Sequence, residues 1–166
     1  MENYEKIIEE ARKQKLDKRF GNTSIEHARI LFKEIFLDAN NSIKILSDKF
    51  NSYFYSKLKN EIKHFLKKDN NNVIEIITTE KNSFLDKLKT LFPKQIKIYL
   101  IDYKQFPIDK ETKERINFII SDNNSYRYEY SDKDLENGIV KAIANFNSKQ
   151  DTLILNKIFE ELKKAK

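Results

Sequence analysis

A chain of 166 residues and 19.9 kDa is long enough to bury the core of one domain without disulfides or a structural metal. Its 32 basic residues exceed the 26 acidic ones by +6, but the two signs are interleaved, so charge alone does not define a nucleic-acid surface. The absence of cysteine excludes thiol nucleophiles, disulfides and Cys-based metal sites, and Gly21 and Gly138 are too few glycines for a P-loop or a dinucleotide fingerprint.

The first predicted element is an amphipathic helix over 4–16, with Tyr4, Ile7, Ile8 and Ala11 on one stripe and a break at Gly21-Asn22. Residues 1–20 therefore form an N-terminal appendage to an α/β domain over 21–166. A second helix, capped by Thr23 or Ser24, carries Ile25, Ala28, Leu31, Phe32, Ile35 and Phe36 and ends at Asn40-Asn41. A short strand, Ile43 to Leu46, leads into one long helix with Phe50, Phe54, Leu58, Ile62 and Leu66 at four-residue spacing. After the loop 69–72 come a strand over 73–77, a helix with Phe84, Leu85, Leu88 and Leu91, and a strand over 96–101.

That alternation predicts an α/β fold with a mixed, mostly parallel sheet flanked by helices. Beyond Asp102 the pattern changes. Strand 116–120, the turn Asp122-Asn123-Asn124-Ser125 and Tyr126 to Tyr130 read as a hairpin. A last strand over 139–146 precedes a C-terminal helix with Leu155, Ile158, Phe159 and Leu162 turned inward. No apolar run approaches the roughly 20 residues of a membrane span, and the cysteine-free composition suits a reducing cytoplasm. Richness in Lys, Asn and Ile matches the bias of AT-rich bacterial genomes.

Few residues offer chemistry. His27 and His64 fall on helices without an H-E-x-x-H spacing, which makes them helix-surface residues. Asp48, Glu80 and Asp102 each follow a parallel strand and would converge on Mg²⁺ in a rebuilt nuclease, although helix capping explains them as well. The run Lys57, Lys59, Lys63, Lys67 and Lys68 reads as a solvated helix face, and Tyr126, Tyr128 and Tyr130 as one face of a half-buried strand. Arg127 and Glu129 alternate onto the other face, as a cross-strand salt bridge beside Asn117 or as part of a binding pocket. Asn145 and Asn147 flank Phe146 where a strand turns into a helix.

Two stretches resemble the phospholipase D superfamily, and in particular its catalytically degenerate members. One, Glu26 to Phe54, has His27-Ala28-Arg29-Ile30-Leu31 running through Ala39-Asn40-Asn41-Ser42 into Ile43 to Ser47. The other, Ile116 to Phe159, has Phe118-Ile119-Ile120-Ser121-Asp122 with Tyr126 to Glu129 and Ala144-Asn145-Phe146-Asn147. The resemblance spans about residues 24 to 163 and implies one half of the phospholipase D fold. Active members carry His-x-Lys with an Asp further on, then a Gly-Ser pair. Aligned on Asp122, the His position is Arg115, the Lys position Asn117, and the pair Glu129-Tyr130.

Imidazoles must attack phosphorus and protonate the leaving group in that chemistry, while lysines hold the oxygens. A guanidinium stays protonated and cannot take the imidazole's part. The resemblance thus implies a noncatalytic interaction module with no cofactor and no catalytic or metal-binding residue, paired with a second copy across the site face. Arg115, Asn117, Asp122, Arg127, Glu129 and Asn145 are its candidate binding residues. Sequence-tolerant nucleic-acid binding and a rebuilt metal-dependent phosphodiesterase are the competing readings, and a protein partner is compatible with the first.

Overall fold

Strands as apolar as those around Ile43, Ile74 and Ile119 must be covered on both faces. In the computed structural model, which describes residues 2–110, 113–129 and 139–165, helices provide that cover. The elements are α1 (Glu2–Lys13), β1 (Phe20–Ser24), α2 (Ile25–Asp38), β2 (Ser42–Leu46), α3 (Ser52–Ser56), α4 (Lys59–Lys68), β3 (Val73–Thr78), α5 (Ser83–Leu91) and β4 (Ile96–Leu100). A 3-10 turn (Tyr103–Gln105) follows, then β5 (Asn117–Ser121), β6 (Tyr126–Glu129), β7 (Ile139–Asn145) and α6 (Lys149–Lys164). The fold is mixed α/β, a seven-stranded open sheet in the order β1-β7-β6-β5-β2-β3-β4 flanked by six helices.

The parallel part is confined to β2, β3 and β4, whose connections pass through helices. The β2–β5, β5–β6, β6–β7 and β1–β7 pairs are antiparallel, so parallel pairing does not extend over most of the sheet. The cause is local at β5–β6, where a short turn with Asn124 at φ 63° reverses the chain.

Side-chain alternation divides the core into two layers. Ile43, Ile45, Ile74, Ile76, Ile119 and Ala144 pack with Leu31, Ile35, Phe65 and Leu85. On the other face Leu46, Ile77, Phe118, Ile120 and Tyr126 pack with Leu155 and Phe159 of α6. Charged partners also hold α6: Lys44 Nζ lies 2.8 Å from Glu160 and Lys163 Nζ 2.6 Å from Glu75. No helix among the described residues is long and apolar enough to cross a membrane.

Two predicted elements differ. The break expected at Gly21-Asn22 is the edge strand β1, which pairs with β7 from Phe20↔Ala144 to Ser24↔Ile139. Its polar, glycine-containing sequence has little strand preference of its own, and pairing with β7 supplies it. The single long helix is two, α3 and α4, separated at Lys57-Leu58. The Asn51 side chain starts α3 by accepting the N–H of Phe54, and Leu58 is 2% exposed at the break, packed into the core.

Helix α1 lies against α2. Ile8 and Ala11 are fully buried, Arg12 Nε is 2.5 Å from the buried Glu34, and Lys15 pairs with the buried Asp38. Ile7, one position away, is 48% exposed. Ile8→Ala is expected to lower unfolding stability in urea by about 2–5 kcal/mol and Ile7→Ala by less than about 0.5 kcal/mol. Equal losses would show that α1 does not dock as described.

Burial, and after it a hydrogen bond to Asp151, pushes the Tyr126 phenol up to about 12, and burial likewise pushes Tyr4 up to about 12. A phenol whose folded pKa exceeds its unfolded value near 10 contributes its full stability below that value and loses it as pH rises toward the folded one. Chemical denaturation in steps between about pH 10 and 12 is therefore expected to show falling stability, with a shallower fall in Tyr126→Phe. A flat profile in the parent chain would contradict the burial.

Candidate functional site

The carboxyl ends of β2 and β3 meet the amino end of β5, because β2 and β5 pair antiparallel with Leu46 opposite Phe118. Open α/β sheets place their ligands at such an edge. Here the edge is organised by Asp48, which is 3% exposed. Its carboxylate is ion-paired with Arg115, and its backbone N–H donates to Asn117 Oδ1 at 2.8 Å. Its carbonyl accepts the hydroxyls of Thr78 at 3.1 Å and Thr79 at 2.7 Å. The Tyr103 ring packs against the Arg115 guanidinium.

The residues at the aligned His and Lys positions are therefore both engaged with one buried aspartate. A guanidinium held by a carboxylate and an amide whose oxygen accepts a backbone N–H can position and bind. Neither can attack phosphorus or donate and recover a proton at neutral pH.

Next to this clasp, Arg127 and Glu129 point to the α2 side of β6. Arg127 Nε donates to Asn22 Oδ1 at 2.9 Å, and its Nη2 lies 2.6 Å from Glu129 Oε2, without the alignment of a hydrogen bond. The ion pair expected across the hairpin runs instead along one strand. Glu129 stands opposite Asn117 in the register, so these groups do converge. With Ala28, Phe32 and Phe54 they line a cavity of about 270 Å³, with Tyr53 at its edge. A wider cleft of about 750 Å³ adjoins it, lined by Asp48, Glu80, Asn82, Tyr103, Ile108 and Arg115 among others.

Asp122 and Asn145 do not belong to this group. They sit at the opposite end of β5 and β7, as the register of Tyr126 with Asn145 requires. Asp122 accepts the backbone N–H groups of Asn40 at 3.0 Å and Asn41 at 2.9 Å, fixing the α2–β2 loop. Asn145 donates to Asp17 and accepts the N–H of Asn147, which ties the N-terminal segment to the turn before α6. Both sites are separated from Asn117 because strand alternation specifies the face of a residue and not which end of the sheet it occupies.

His27 is stacked on Tyr4, with ring centroids 3.8 Å apart, and His64 is exposed on α4. Neither imidazole lines the cleft, the cavity or the surroundings of Asp122. The acidic trio does not assemble: Asp48 is taken by Arg115, Asp102 caps the 3-10 turn and Glu80 is exposed on the cleft. Among the described residues no three His, Cys, Asp or Glu side chains form a metal-binding group. Tyr126 and Tyr128 face the α6 side, while Tyr130 lies outside the described residues. The basic residues of α4 include the exposed Lys59, Lys67 and Lys68.

Asn22, Thr78 and Thr79 were not foreseen. Asn22 is 1% exposed beside Arg127, and the only trace of its role is the alternation of Phe20 and Asn22 across a turn-like segment.

No protein-family model matches the sequence, and neither does any curated protein sequence. Similar architecture occurs in solved structures. TrmBL2, an archaeal chromatin protein with a novel mode of DNA binding, matches at TM-score 0.63 and 14% identity over 98% of this chain and 60% of its own. NucT from Helicobacter pylori matches at TM-score 0.57 and 13% identity over 89% of this chain and 96% of its own. Phosphatidylserine synthase from Haemophilus influenzae matches at TM-score 0.59 and 13% identity over 88% of this chain and 38% of its own. The fold is phospholipase D-like. The chain spans less than two thirds of TrmBL2 and of the synthase, and at these identities the likeness extends to architecture alone.

Removing the Asp48 carboxylate leaves Arg115 partly buried and unpaired. Asp48→Ala is expected to cost about 3–5 kcal/mol of stability, whereas Glu80→Ala at the exposed cleft edge changes it by less than about 0.5 kcal/mol. Matching midpoints for the two variants in denaturant titration would remove Asp48 from the centre of this edge.

Proposed function

We propose that the domain is a noncatalytic phospholipase D-like module that acts in the cytoplasm by association through its strand-end face, as a homodimer. The observation that carries this reading is the engagement of Arg115 and Asn117 with Asp48, which leaves no nucleophile and no proton shuttle at the aligned positions. Tyr103 and Ile108 at the cleft and Tyr53 at the adjoining cavity, exposed by 59%, 56% and 72%, supply apolar surface for a second copy or a protein partner.

A second reading, sequence-tolerant nucleic-acid binding, is favoured by the likeness to TrmBL2 and the net charge of +6. It assigns contact to exposed lysines, since the cleft itself mixes Asp48, Glu80 and Glu114 with Lys49, Lys113 and Arg115.

Sedimentation of the full chain is expected to give a dimer whose dissociation is promoted by Tyr53→Asp or Ile108→Asp, with no hydrolysis of a phosphodiester substrate with or without divalent metal. Monomer at all concentrations would dismiss the homodimer, and turnover lost in Arg115→Ala would dismiss the noncatalytic reading. A DNA complex that weakens steeply with salt would favour the second reading instead.

A further inference from the structure

We propose that the cavity between α2, α3 and the β5–β6 hairpin binds a neutral heteroaromatic base presenting an N–H donor next to a carbonyl acceptor, as guanine and uracil do. This goes beyond noncatalytic association and does not depend on it.

Four buried side-chain polar atoms lack a hydrogen-bond partner among the described residues: Glu61 Oε2, Asn72 Oδ1, Asn117 Nδ2 and Arg127 Nη2. The last two are donors, they belong to paired strands, and both side chains line this one cavity. Asn117 is 8% exposed and Arg127 3%, so neither donor is free to turn to bulk water. Their directions are fixed as well. Asn117 is anchored by the Asp48 N–H on its oxygen, and Arg127 by Asn22 on its Nε. Asn117 Nδ2 is a fixed, unused donor and calls for an acceptor on the ligand, while Arg127 Nη2 already lies 2.6 Å from the Glu129 carboxylate.

Charge narrows the class. Arg127 is already neutralised by Glu129 at 2.6 Å, and Glu129 lines the same cavity. An anion drawn to Arg127 or to Lys49, which also lines the cavity, would be repelled by that carboxylate, whereas a neutral ligand would not be. The carboxylate in turn accepts from an N–H beside the ligand's carbonyl. Ala28, Phe32 and the ring of Phe54 form an apolar part of the wall, beside the polar Ser47, Lys49 and Asn51, and suit a flat, weakly polar body. A volume of about 270 Å³ lies at the small end of ligand sites and takes a ring system, leaving any sugar or phosphate to project past Lys49 and Tyr53.

Titration of the full chain with guanosine and uridine, followed by calorimetry and by chemical-shift changes, tests this against adenosine and benzoate. Saturable binding of guanosine or uridine is expected, weakened at least about tenfold by Ala28→Phe, which fills the cavity, and by Glu129→Gln, which preserves its shape but removes the carboxylate. Ala28→Phe alone would be ambiguous if it misfolded; Glu129→Gln keeps the test decisive. Benzoate binding more tightly than either base would overturn the proposal in favour of an anion site, as would adenosine binding equally well. No saturable binding by any probe would also overturn it, while leaving the association and hydrolysis results untouched.

Discussion

The edge of this sheet depends on one buried charge. Asp48, two residues beyond β2, ties the end of that strand to the end of β3 through the hydroxyls of Thr78 and Thr79 on its carbonyl, and to the start of β5 through Asn117 and the preceding Arg115. A buried carboxylate is tolerated only when paired and hydrogen-bonded, and the guanidinium of Arg115 supplies the pairing. The same arrangement occupies Arg115 and Asn117, so one set of contacts both steadies the edge and orients polar groups that line its cleft and cavity.

What the edge retains is binding geometry. The phospholipase D-like architecture still brings strand ends, a cleft and an adjoining cavity together. The polar groups around them are positioned by the sheet register and by Asn22 on the edge strand β1, which holds them as donors and acceptors of fixed direction. Such a surface can select a partner by shape and hydrogen bonding.

Much of the architecture was legible in the sequence where periodicity was strong. The strands around Ile43, Ile74 and Ile96 and the helices α2, α5 and α6 stand where apolar spacing places them. β1 was not legible, because Phe20-Gly21-Asn22-Thr23-Ser24 becomes a strand only by pairing with β7, a contact distant in sequence. The α3–α4 break was hidden by four-residue apolar spacing that continues across Leu58. At the site, Arg127 and Glu129 share one face of β6, and Arg115 and Asn117 share the contacts of Asp48. Asp122 and Asn145 lie apart from them, because a strand's length carries both to the other end of the sheet. The Arg115–Asp48 pair joins segments that no local pattern relates.

Hydrolysis of the parent type proceeds through phosphorus bonded to an imidazole nitrogen, so the most direct measurement is the intact mass of the full chain after incubation with an activated phosphodiester at neutral pH, without acid quenching. With Asp48 holding Arg115 and Asn117, and with both imidazoles on helices away from the cleft, the mass should be unchanged. A phosphoryl adduct mapped to His27 or His64 would contradict it.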